Sequence, residues 1–204
     1  MVLERKIAKH LLDIEAVALR PNDYFTWTSG IKSPIYCDNR ITMSYPAIRR
    51  EIAAGMSEVI KAKFPEVEVV AGTATAGIPH AAWVSEVLDL PMIYVRDSAK
   101  KHGKTNQIEG RLLEGQKVVI IEDLISTGLS SLKVAKAIEE AGAVVLGVVA
   151  IFSYELKKAQ DAFAADKVEY QTLTNYNYLI EEAVASDYIK QEDVEKLLEW
   201  RNNL

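Results

Sequence analysis

The chain has 204 residues, of which 49% are hydrophobic and 26% charged, which is the composition of an ordinary globular protein. This composition excludes a disordered tail, a collagen and a mucin. The formal net charge of −5 argues against a general nucleic-acid-binding protein, which is usually basic, but it leaves room for a local basic patch. The single cysteine, Cys37, can form neither an intramolecular disulfide nor a zinc-binding cysteine cluster, so nothing indicates an oxidising compartment.

Neither a membrane segment nor an export signal is predicted. The longest apolar run, residues 141–152, is shorter than the ~20 residues of a membrane helix. Charged residues interrupt the N-terminal region, which therefore lacks the continuous apolar stretch of a signal peptide. We expect a cytoplasmic protein with no membrane partner and enough residues to bury a full hydrophobic core.

In chain order, the N-terminal part is predicted to contain two helices with a hairpin between them. Apolar residues at helical spacing predict a helix over residues 3–19. Aromatic and hydroxyl side chains around a Gly and a Pro predict two strands, at 25–28 and 34–38, joined by a tight turn. The second helix is predicted to have Ser44 as its N-cap and Pro46 in its first turn.

From residue 67 onward, apolar strands alternate with helices. The strands are predicted at residues 67–71, 92–95, 117–121, 144–152 and 168–172. The helices are predicted at residues 78–88, 127–141 and 154–163, with two more helices after residue 175. This alternation predicts a single α/β domain over 1–204, in which a parallel sheet is covered by helices on both faces.

Residues 118–131, VVIIEDLISTGLSS, carry the strongest signal for a functional site. A buried apolar strand ends in two adjacent carboxylates, Glu122 and Asp123, at the edge where open α/β sheets bind ligands. A loop of small and hydroxylated residues then enters a helix, and such a loop offers N–H groups, hydroxyls and a favourable dipole to a phosphate.

Carboxylates beside a phosphate site indicate a ligand that also carries hydroxyls or positive charge. A ribose 5-phosphate has both features, because the acids can accept from its 2- and 3-hydroxyls and support a developing cation at C1. The alternative is a helix N-cap that follows a solvated acid pair.

Residues 96–111 form a cationic stretch within this acidic protein. Five Lys or Arg side chains stand against two acidic ones, with His102 in addition. Because the stretch lacks apolar periodicity, we expect a mobile loop that closes over a polyanionic ligand. The alternative is a solvated run of surface charge. A third stretch, residues 71–79, has small residues that allow close backbone approach by a pyrophosphate, although such residues also serve packing.

These stretches together resemble the type I phosphoribosyltransferase family. Residues 122–131 look like its signature for binding 5-phosphoribosyl 1-diphosphate, and residues 74–77 are similar to its pyrophosphate loop. Residues 25–38 resemble the base-covering hood of the orotate phosphoribosyltransferase branch. The catalytic loop of that branch is similar to a pattern of four residues in this chain: Arg96, Lys100, His102 and Gly103.

The resemblance implies a type I phosphoribosyltransferase-like α/β fold. A central parallel sheet would be flanked by helices, with an N-terminal helix and small hood over residues 1–45. The C-terminal helices of residues 175–204 would pack on the core.

The resemblance also implies roles for individual residues, carried over by position. The catalytic residues would be Lys100, His102 and Asp123. The residues that bind 5-phosphoribosyl 1-diphosphate would be Arg96, Lys100, His102, Glu122, Asp123, Leu124, Ile125, Ser126, Thr127, Gly128, Leu129 and Ser130. The pyrophosphate loop would consist of Ala74, Thr75, Ala76 and Gly77. The residues in contact with orotate would be Lys32, Tyr36, Cys37 and Ser126.

The implied reaction transfers ribose 5-phosphate from 5-phosphoribosyl 1-diphosphate to orotate, giving orotidine 5-monophosphate and pyrophosphate in the biosynthesis of UMP. Mg²⁺ would be carried mainly by the substrate, since the sequence shows no dense carboxylate cage. The resemblance further implies a homodimer with shared active sites, in which the loop reaches into the neighbour's site. No nucleic-acid partner is expected.

Three positions depart from the family pattern. Leu129 stands where the signature usually has a second Gly, and Ala76 stands where the pyrophosphate loop often has a Lys. Ser153 and Tyr154 occupy the place where some members have an Arg that meets the orotate carboxylate.

Two other functions remain open from the sequence. A phosphoribosyltransferase for another base would share residues 122–130 and differ in the hood. A regulator that binds the same ligand and acts on nucleic acid is the second alternative, although the acidic charge balance disfavours it.

Overall fold

The computed structural model describes residues 2–27, 30–97 and 107–204. Its N-terminal part contains helix α1, four short strands and the longest helix. These elements are α1 (Leu3–Asp13), β1 (Val17–Leu19), β2 (Phe25–Thr26), β3 (Lys32–Ser33), β4 (Ile35–Cys37), a 3₁₀ helix (Asn39–Ser44) and α2 (Pro46–Lys63).

The remaining elements mostly alternate between strands and helices, as the sequence predicts, except for a short strand at Ile108–Glu109, which lies within the stretch 96–111 expected to be a loop. They are β5 (Val69–Thr73), α3 (Gly77–Leu88), β6 (Met92–Val95), β7 (Ile108–Glu109), β8 (Lys117–Ile125), α4 (Leu129–Glu140), β9 (Val144–Ser153), α5 (Lys157–Asp166), β10 (Tyr170–Asn175), α6 (Tyr176–Ala185), a 3₁₀ turn (Gln191–Asp193) and α7 (Val194–Asn202).

Six strands form one sheet in the order β10-β9-β8-β5-β6-β7. The first five run parallel, and only the short edge strand β7 is antiparallel to its neighbour β6. Because the strands are parallel, the carboxyl ends of β8, β5 and β6 lie side by side at one edge of the sheet. This edge positions the candidate site.

Alternate residues of the central strands are buried on opposite faces of the sheet. Val119 and Ile121 pack with helices α1, α2 and α3, whereas Val118 and Ile120 pack with α4 and α5. Burial on both faces explains why these strands are continuously apolar. The predicted α/β fold, a mostly parallel sheet flanked by helices, is confirmed. No helix in the described ranges combines the length and apolarity needed to cross a membrane.

The N-terminal part contains the main corrections to the sequence prediction. The helix predicted over residues 3–19 ends at Asp13, and Glu15 takes a left-handed conformation with a φ of 57°. Residues Val17–Leu19 instead pair antiparallel with Ile35–Cys37. Helical periodicity could not reveal this pairing, because it depends on a partner strand almost 20 residues away.

The predicted hairpin between 25–28 and 34–38 is also wrong in its pairing. Strand β2 pairs with Lys32–Ser33, so the hairpin is shorter, and the following strand belongs to a second small sheet. Ser44 ends the 3₁₀ helix and Tyr45 is the N-cap of α2, so the predicted N-cap is off by one residue. We use the term hood for residues 17–27 and 30–37.

Several predicted ends shift in the α/β part. Strand β8 continues four residues beyond the predicted end, because its pairing with β9 extends to Ile125 opposite Ser153. Helix α4 begins at Leu129 and not at residue 127. Helix α5 begins at Lys157, so Tyr154 lies in a loop and not in the predicted helix.

Candidate active site

Three neighbouring strand ends bring the sequence-predicted residues to one edge of the sheet. Strand β8 ends in the acid pair and the Ser-Thr-Gly loop, β5 leads into the turn 74–77, and β6 is followed by Arg96. This arrangement follows from the strand order, since β5 pairs with both β8 and β6.

The two carboxyls of the acid pair have different surroundings. Glu122 is 4% exposed and accepts hydrogen bonds from the hydroxyls of Ser130 and Ser131, each at 3.1 Å, and from the Asp123 N–H, also at 3.1 Å. Burial raises the pKa of Glu122, and the charge of Asp123 adds to that rise. Burial also raises the pKa of Asp123, but its side chain is more open to solvent. Asp123 is therefore the acid of the pair that can meet a ligand directly.

The loop that connects β8 to helix α4 depends on a glycine. Gly128 precedes the helix with a φ of 79°, a conformation that favours glycine. A Cβ at this position would also come within 2.7 Å of the Phe163 ring. The loop therefore enters the helix along a path fixed by α5. The first N–H groups of α4 have no partners within the helix, which makes this end suitable for a phosphate.

The turn 74–77 lies directly against β8. Its Ala74–Thr75 peptide bond is cis. A Cβ on Gly77 would collide with the carbonyl oxygen of Ile121, the residue immediately before the acid pair. The absence of a side chain at Gly77 therefore lets this turn approach the acid pair closely.

Arg96 lies at the end of β6 and forms an ion pair with Glu109 of β7, with 3.2 Å between Nε and the carboxylate oxygen. The carbonyl of Asp97 accepts a hydrogen bond from Lys133 of α4. The structure thus describes both ends of the cationic stretch, whereas Lys100 and His102 lie outside the described residues.

A cleft of about 370 Å³ opens between the hood and the end of β8. Its walls combine aromatic rings with hydroxyl groups. The lining residues are Thr26, Trp27, Tyr36, Cys37, Leu124, Ser126 and Tyr154. Ser126 belongs both to this cleft and to the loop before α4, so the cleft and the candidate phosphate site are contiguous.

Asn39 connects the hood to the acid pair. Its side-chain amide donates to the Asp123 carbonyl at 2.7 Å, and its side-chain oxygen lies 3.4 Å from the Cys37 thiol. Burial raises the pKa of Cys37 well above its usual value, so the residue remains a thiol at neutral pH. Its role in the cleft wall is that of a small, uncharged surface.

Lys32 lies beside the cleft without lining it. Its ammonium group donates to the Thr26 hydroxyl at 2.7 Å, and Thr26 is part of the cleft wall. The Lys32 carbonyl accepts from the indole N–H of Trp200 at 2.9 Å. A residue of the C-terminal helix therefore holds the backbone of the hood.

The structure thus brings most of the predicted site residues together. Tyr36, Cys37 and Ser126 share one cleft, and the acid pair borders the same loop. Sequence reasoning included Thr26 in the hood pattern and Ser131 in the loop after the acid pair, but it assigned no contact to Trp27 or Asn39. No local pattern marks Asn39, whose partner is 84 residues away.

Comparison with known proteins shows relatives along the whole chain. The phosphoribosyl transferase domain family matches residues 43–188. The orotate phosphoribosyltransferase of Enterococcus faecalis strain OG1RF is 64% identical over 199 residues, which are 98% of this chain and 95% of that protein.

Two solved structures share the fold. The orotate phosphoribosyltransferase of Aeropyrum pernix superposes with a TM-score of 0.77 and 27% identity, covering 90% of this chain and 99% of its own. The UMP synthase of Leishmania donovani gives a TM-score of 0.82 with 26% identity, covering 98% of this chain and 42% of its own.

Proposed function

The chain belongs to the orotate phosphoribosyltransferases of the phosphoribosyl transferase domain family, and from this premise we propose how its residues carry the reaction. The enzyme transfers ribose 5-phosphate from 5-phosphoribosyl 1-diphosphate to N1 of orotate. The products are orotidine 5-monophosphate and pyrophosphate, and the reaction belongs to pyrimidine biosynthesis.

The ribose 5-phosphate would bind along the end of β8. Asp123, the more open acid, would accept hydrogen bonds from the ribose hydroxyls. Glu122 would fix the loop through Ser130 and Ser131, because its carboxyl group already accepts from both hydroxyls. The 5-phosphate would be held by the backbone and hydroxyls of residues 126–130 at the start of α4.

The pyrophosphate would lie between the turn 74–77 and Arg96, with Lys100 and His102 approaching from the cationic stretch. Mg²⁺, when bound, would neutralise charge on the leaving pyrophosphate. In the described part of the chain no group of three or more His, Cys, Asp or Glu side chains is placed to hold a metal. We propose that Mg²⁺ would be carried mainly by the substrate, with the turn 74–77 and Arg96 holding the pyrophosphate to which it binds.

The orotate ring would occupy the cleft between hood and sheet. Its N1 must face C1 of the ribose, so the ring lies with that edge toward Asp123 and Ser126. Bond cleavage ahead of full attack places positive charge on the ribose, and the carboxylate of Asp123 stabilises that charge from a fixed position. The hood excludes water from the reacting carbon.

A single observation supports this assignment of the site best. The cleft and the candidate phosphate loop share Ser126, so a base and a ribose 5-phosphate would occupy adjoining sites. The test is an absorbance assay for orotate consumption with 5-phosphoribosyl 1-diphosphate, with and without Mg²⁺. We expect turnover only with both substrates. Turnover of a purine base in place of orotate would instead favour the alternative phosphoribosyltransferase.

The homodimer with shared active sites stays a proposal, as do the cytoplasmic location and the absence of a nucleic-acid partner. A salt-dependent binding assay with duplex DNA would test the nucleic-acid alternative.

A further inference from the structure

The proposed orotate cleft presents a problem of charge. Orotate carries a carboxylate, yet no described residue that lines the cleft has a cationic side chain. Of the two cations nearby, Arg40 pairs with Asp38 at 2.6 Å, and Lys32 donates a hydrogen bond to Thr26 without itself lining the cleft. The carboxylate therefore needs a neutral donor in the wall or a cation drawn from elsewhere.

Ser153, the last residue of strand β9, and Tyr154, the residue after it, differ in what they offer. Ser153 is fully buried, and its hydroxyl accepts a hydrogen bond from the Glu155 N–H at 2.9 Å within its own turn. Tyr154 lines the cleft and is only 3% exposed. Its hydroxyl has no hydrogen bond to any other residue in the described ranges. Tyr154 thus supplies an uncommitted polar group to the wall of the cleft.

Neighbouring rings hold Tyr154 in place. Its ring centroid lies 5.7 Å from that of Trp27, 5.4 Å from that of Phe152 and 6.5 Å from that of Tyr176. A ring packed on several sides cannot swing away from a ligand, so the hydroxyl keeps its position before orotate arrives. Such preorganisation lowers the entropic cost of binding.

Tyr154 lies beside the end of β8, because its N–H donates to the Ile125 carbonyl at 3.2 Å. The carboxylate of orotate is attached to the carbon next to N1, so it lies near the reacting edge and near Asp123. Burial, followed by the nearby groups of Cys37, Tyr176 and Asp123, raises the pKa of Tyr154 well above its usual value. The phenol therefore stays protonated, and able to donate a hydrogen bond, at every working pH.

We propose that the Tyr154 hydroxyl donates a hydrogen bond to the carboxylate of orotate and so determines the preference for this base over neutral pyrimidines. This inference rests on the proposed placement of orotate in the cleft. Tyr154 thus contributes selectivity in place of a cationic side chain. Ser126, which belongs to the phosphate loop, also has its hydroxyl group in the described lining of the cleft.

The test compares two variants that each remove one phenol hydroxyl from the same aromatic cluster. Tyr154→Phe keeps the ring and removes the proposed donor. Tyr176→Phe is the matched control, because its hydroxyl donates to the Leu197 carbonyl at 3.2 Å and faces away from the cleft lining. For each protein, KM and kcat are measured for orotate and for 5-phosphoribosyl 1-diphosphate, together with the inhibition constant of uracil, which lacks the carboxylate.

We expect Tyr154→Phe to raise KM for orotate about tenfold or more, the effect of losing one hydrogen bond to a charged group. The KM for 5-phosphoribosyl 1-diphosphate and the inhibition constant of uracil should stay unchanged, and Tyr176→Phe should leave all three constants as in the wild type. An unchanged KM for orotate, or an equal loss for uracil, would overturn the proposal. A wild-type protein that fails to use orotate would instead overturn the proposed function.

Discussion

At the scale of single residues, the acid pair shows how two adjacent carboxyl groups acquire different roles. Glu122 is enclosed by Ser130, Ser131 and the chain itself, so its carboxyl group organises the loop. Asp123 emerges one residue later on the opposite side of the strand, as the alternation of a β-strand requires. The strand therefore directs one carboxyl into the protein and offers the other to the ligand.

Asp123→Asn should leave a folded protein with severely reduced turnover. The substitution keeps the shape of the side chain but removes the negative charge proposed to stabilise the ribose cation. We expect a loss of about 2–4 kcal/mol of transition-state stabilisation, seen as a lower kcat. Steady-state kinetics and a thermal unfolding curve measure the two effects separately. Near-normal kcat in a folded variant would remove Asp123 from the mechanism.

Glu122 should make the stability of the unliganded protein depend on pH. Because burial raises its pKa above the ordinary 4.5, the folded state holds the proton more tightly than the unfolded state. The contribution of Glu122 to the free energy of unfolding therefore falls as pH rises above about 4.5. Glu122→Gln lacks this titration, so the variant should gain stability relative to the wild type between pH 5 and 8.

Denaturant unfolding of both proteins at several pH values measures this difference. Burial of His80 lowers its pKa to about 4, and this shift changes stability in the opposite direction. Since His80 is present in both proteins, its contribution cancels in the comparison. A difference in unfolding free energy that stays constant with pH would contradict the protonation assigned to Glu122.

At the scale of elements, the last helix holds the first strands in place. Trp200 of α7 donates to the Lys32 carbonyl at 2.9 Å, and its ring meets that of Trp27 edge-on at a centroid distance of 5.8 Å. Lys196 donates to the side chain of Asn22 at 2.5 Å. Since Trp27 lines the cleft, the C-terminal helix positions one wall of the proposed orotate site.

Trp200→Phe should therefore reduce the affinity for orotate by a larger free energy than it reduces the stability of the folded protein. Phenylalanine keeps an aromatic ring against Trp27 but removes the N–H that holds the Lys32 backbone. We expect KM for orotate to rise by about the fivefold that one neutral hydrogen bond of about 1 kcal/mol represents. The KM for 5-phosphoribosyl 1-diphosphate should not change, since its proposed contacts lie at the strand ends.

The control for this helix is Glu199→Gln, which alters an exposed neighbour of Trp200. Its kinetic constants should match those of the wild type. If Trp200→Phe changes both KM values equally, or changes only the unfolding temperature, then α7 supports the fold without positioning the hood.

Local sequence patterns predicted the elements that carry a continuous apolar signal and missed those that only a distant partner defines. The apolar run at Met92–Val95 matches its strand residue for residue, because its side chains are buried on one face of the sheet and half-buried on the other. Strand β1 was not predicted, because it is defined by its pairing with β4 and its apolar residues also fit the spacing of a helix.

The residues of the candidate site likewise fall into those that a local pattern predicts and those that it does not. Glu122, Asp123 and the following hydroxyl residues could be predicted because strand, loop and helix are consecutive in the chain. The contacts of Asn39 with Asp123 and of Trp200 with Lys32 join segments 84 and 168 residues apart. No spacing within one segment encodes such contacts, so only the fold reveals which residues complete the cleft.

At the scale of the whole molecule, the question is whether the cationic stretch, residues 96–111, acts at the active site of its own chain or at that of a partner chain. The Arg96 N–H donates to the Gln107 carbonyl at 3.0 Å, so the chain leaves and re-enters the sheet at the same point. This point is two strands from β8, or about 10 Å at the usual strand spacing. Ten residues separate Arg96 from Gln107, and five extended residues span about 17 Å, so reach does not exclude the chain's own site.

Mixing two inactive variants distinguishes these arrangements. Lys100→Ala removes a proposed loop group, and Asp123→Asn removes a group at the sheet edge. If active sites are shared in a homodimer, each mixed dimer contains one site with both wild-type groups and one site with neither. Random exchange of equal amounts should then restore about a quarter of the wild-type activity, because half the dimers are mixed and half of their sites are intact.

The control mixes Asp123→Asn with Asp123→Ala, which cannot complement each other in any arrangement. Distinguishable tags on the two chains establish that mixed dimers have formed, and each mixture is assayed with orotate and 5-phosphoribosyl 1-diphosphate. Restored activity only in the first mixture requires that the loop of one chain acts on the sheet edge of the other. Mixed dimers as inactive as their parents would place the loop over its own site, and a protein that stays monomeric would exclude sharing altogether.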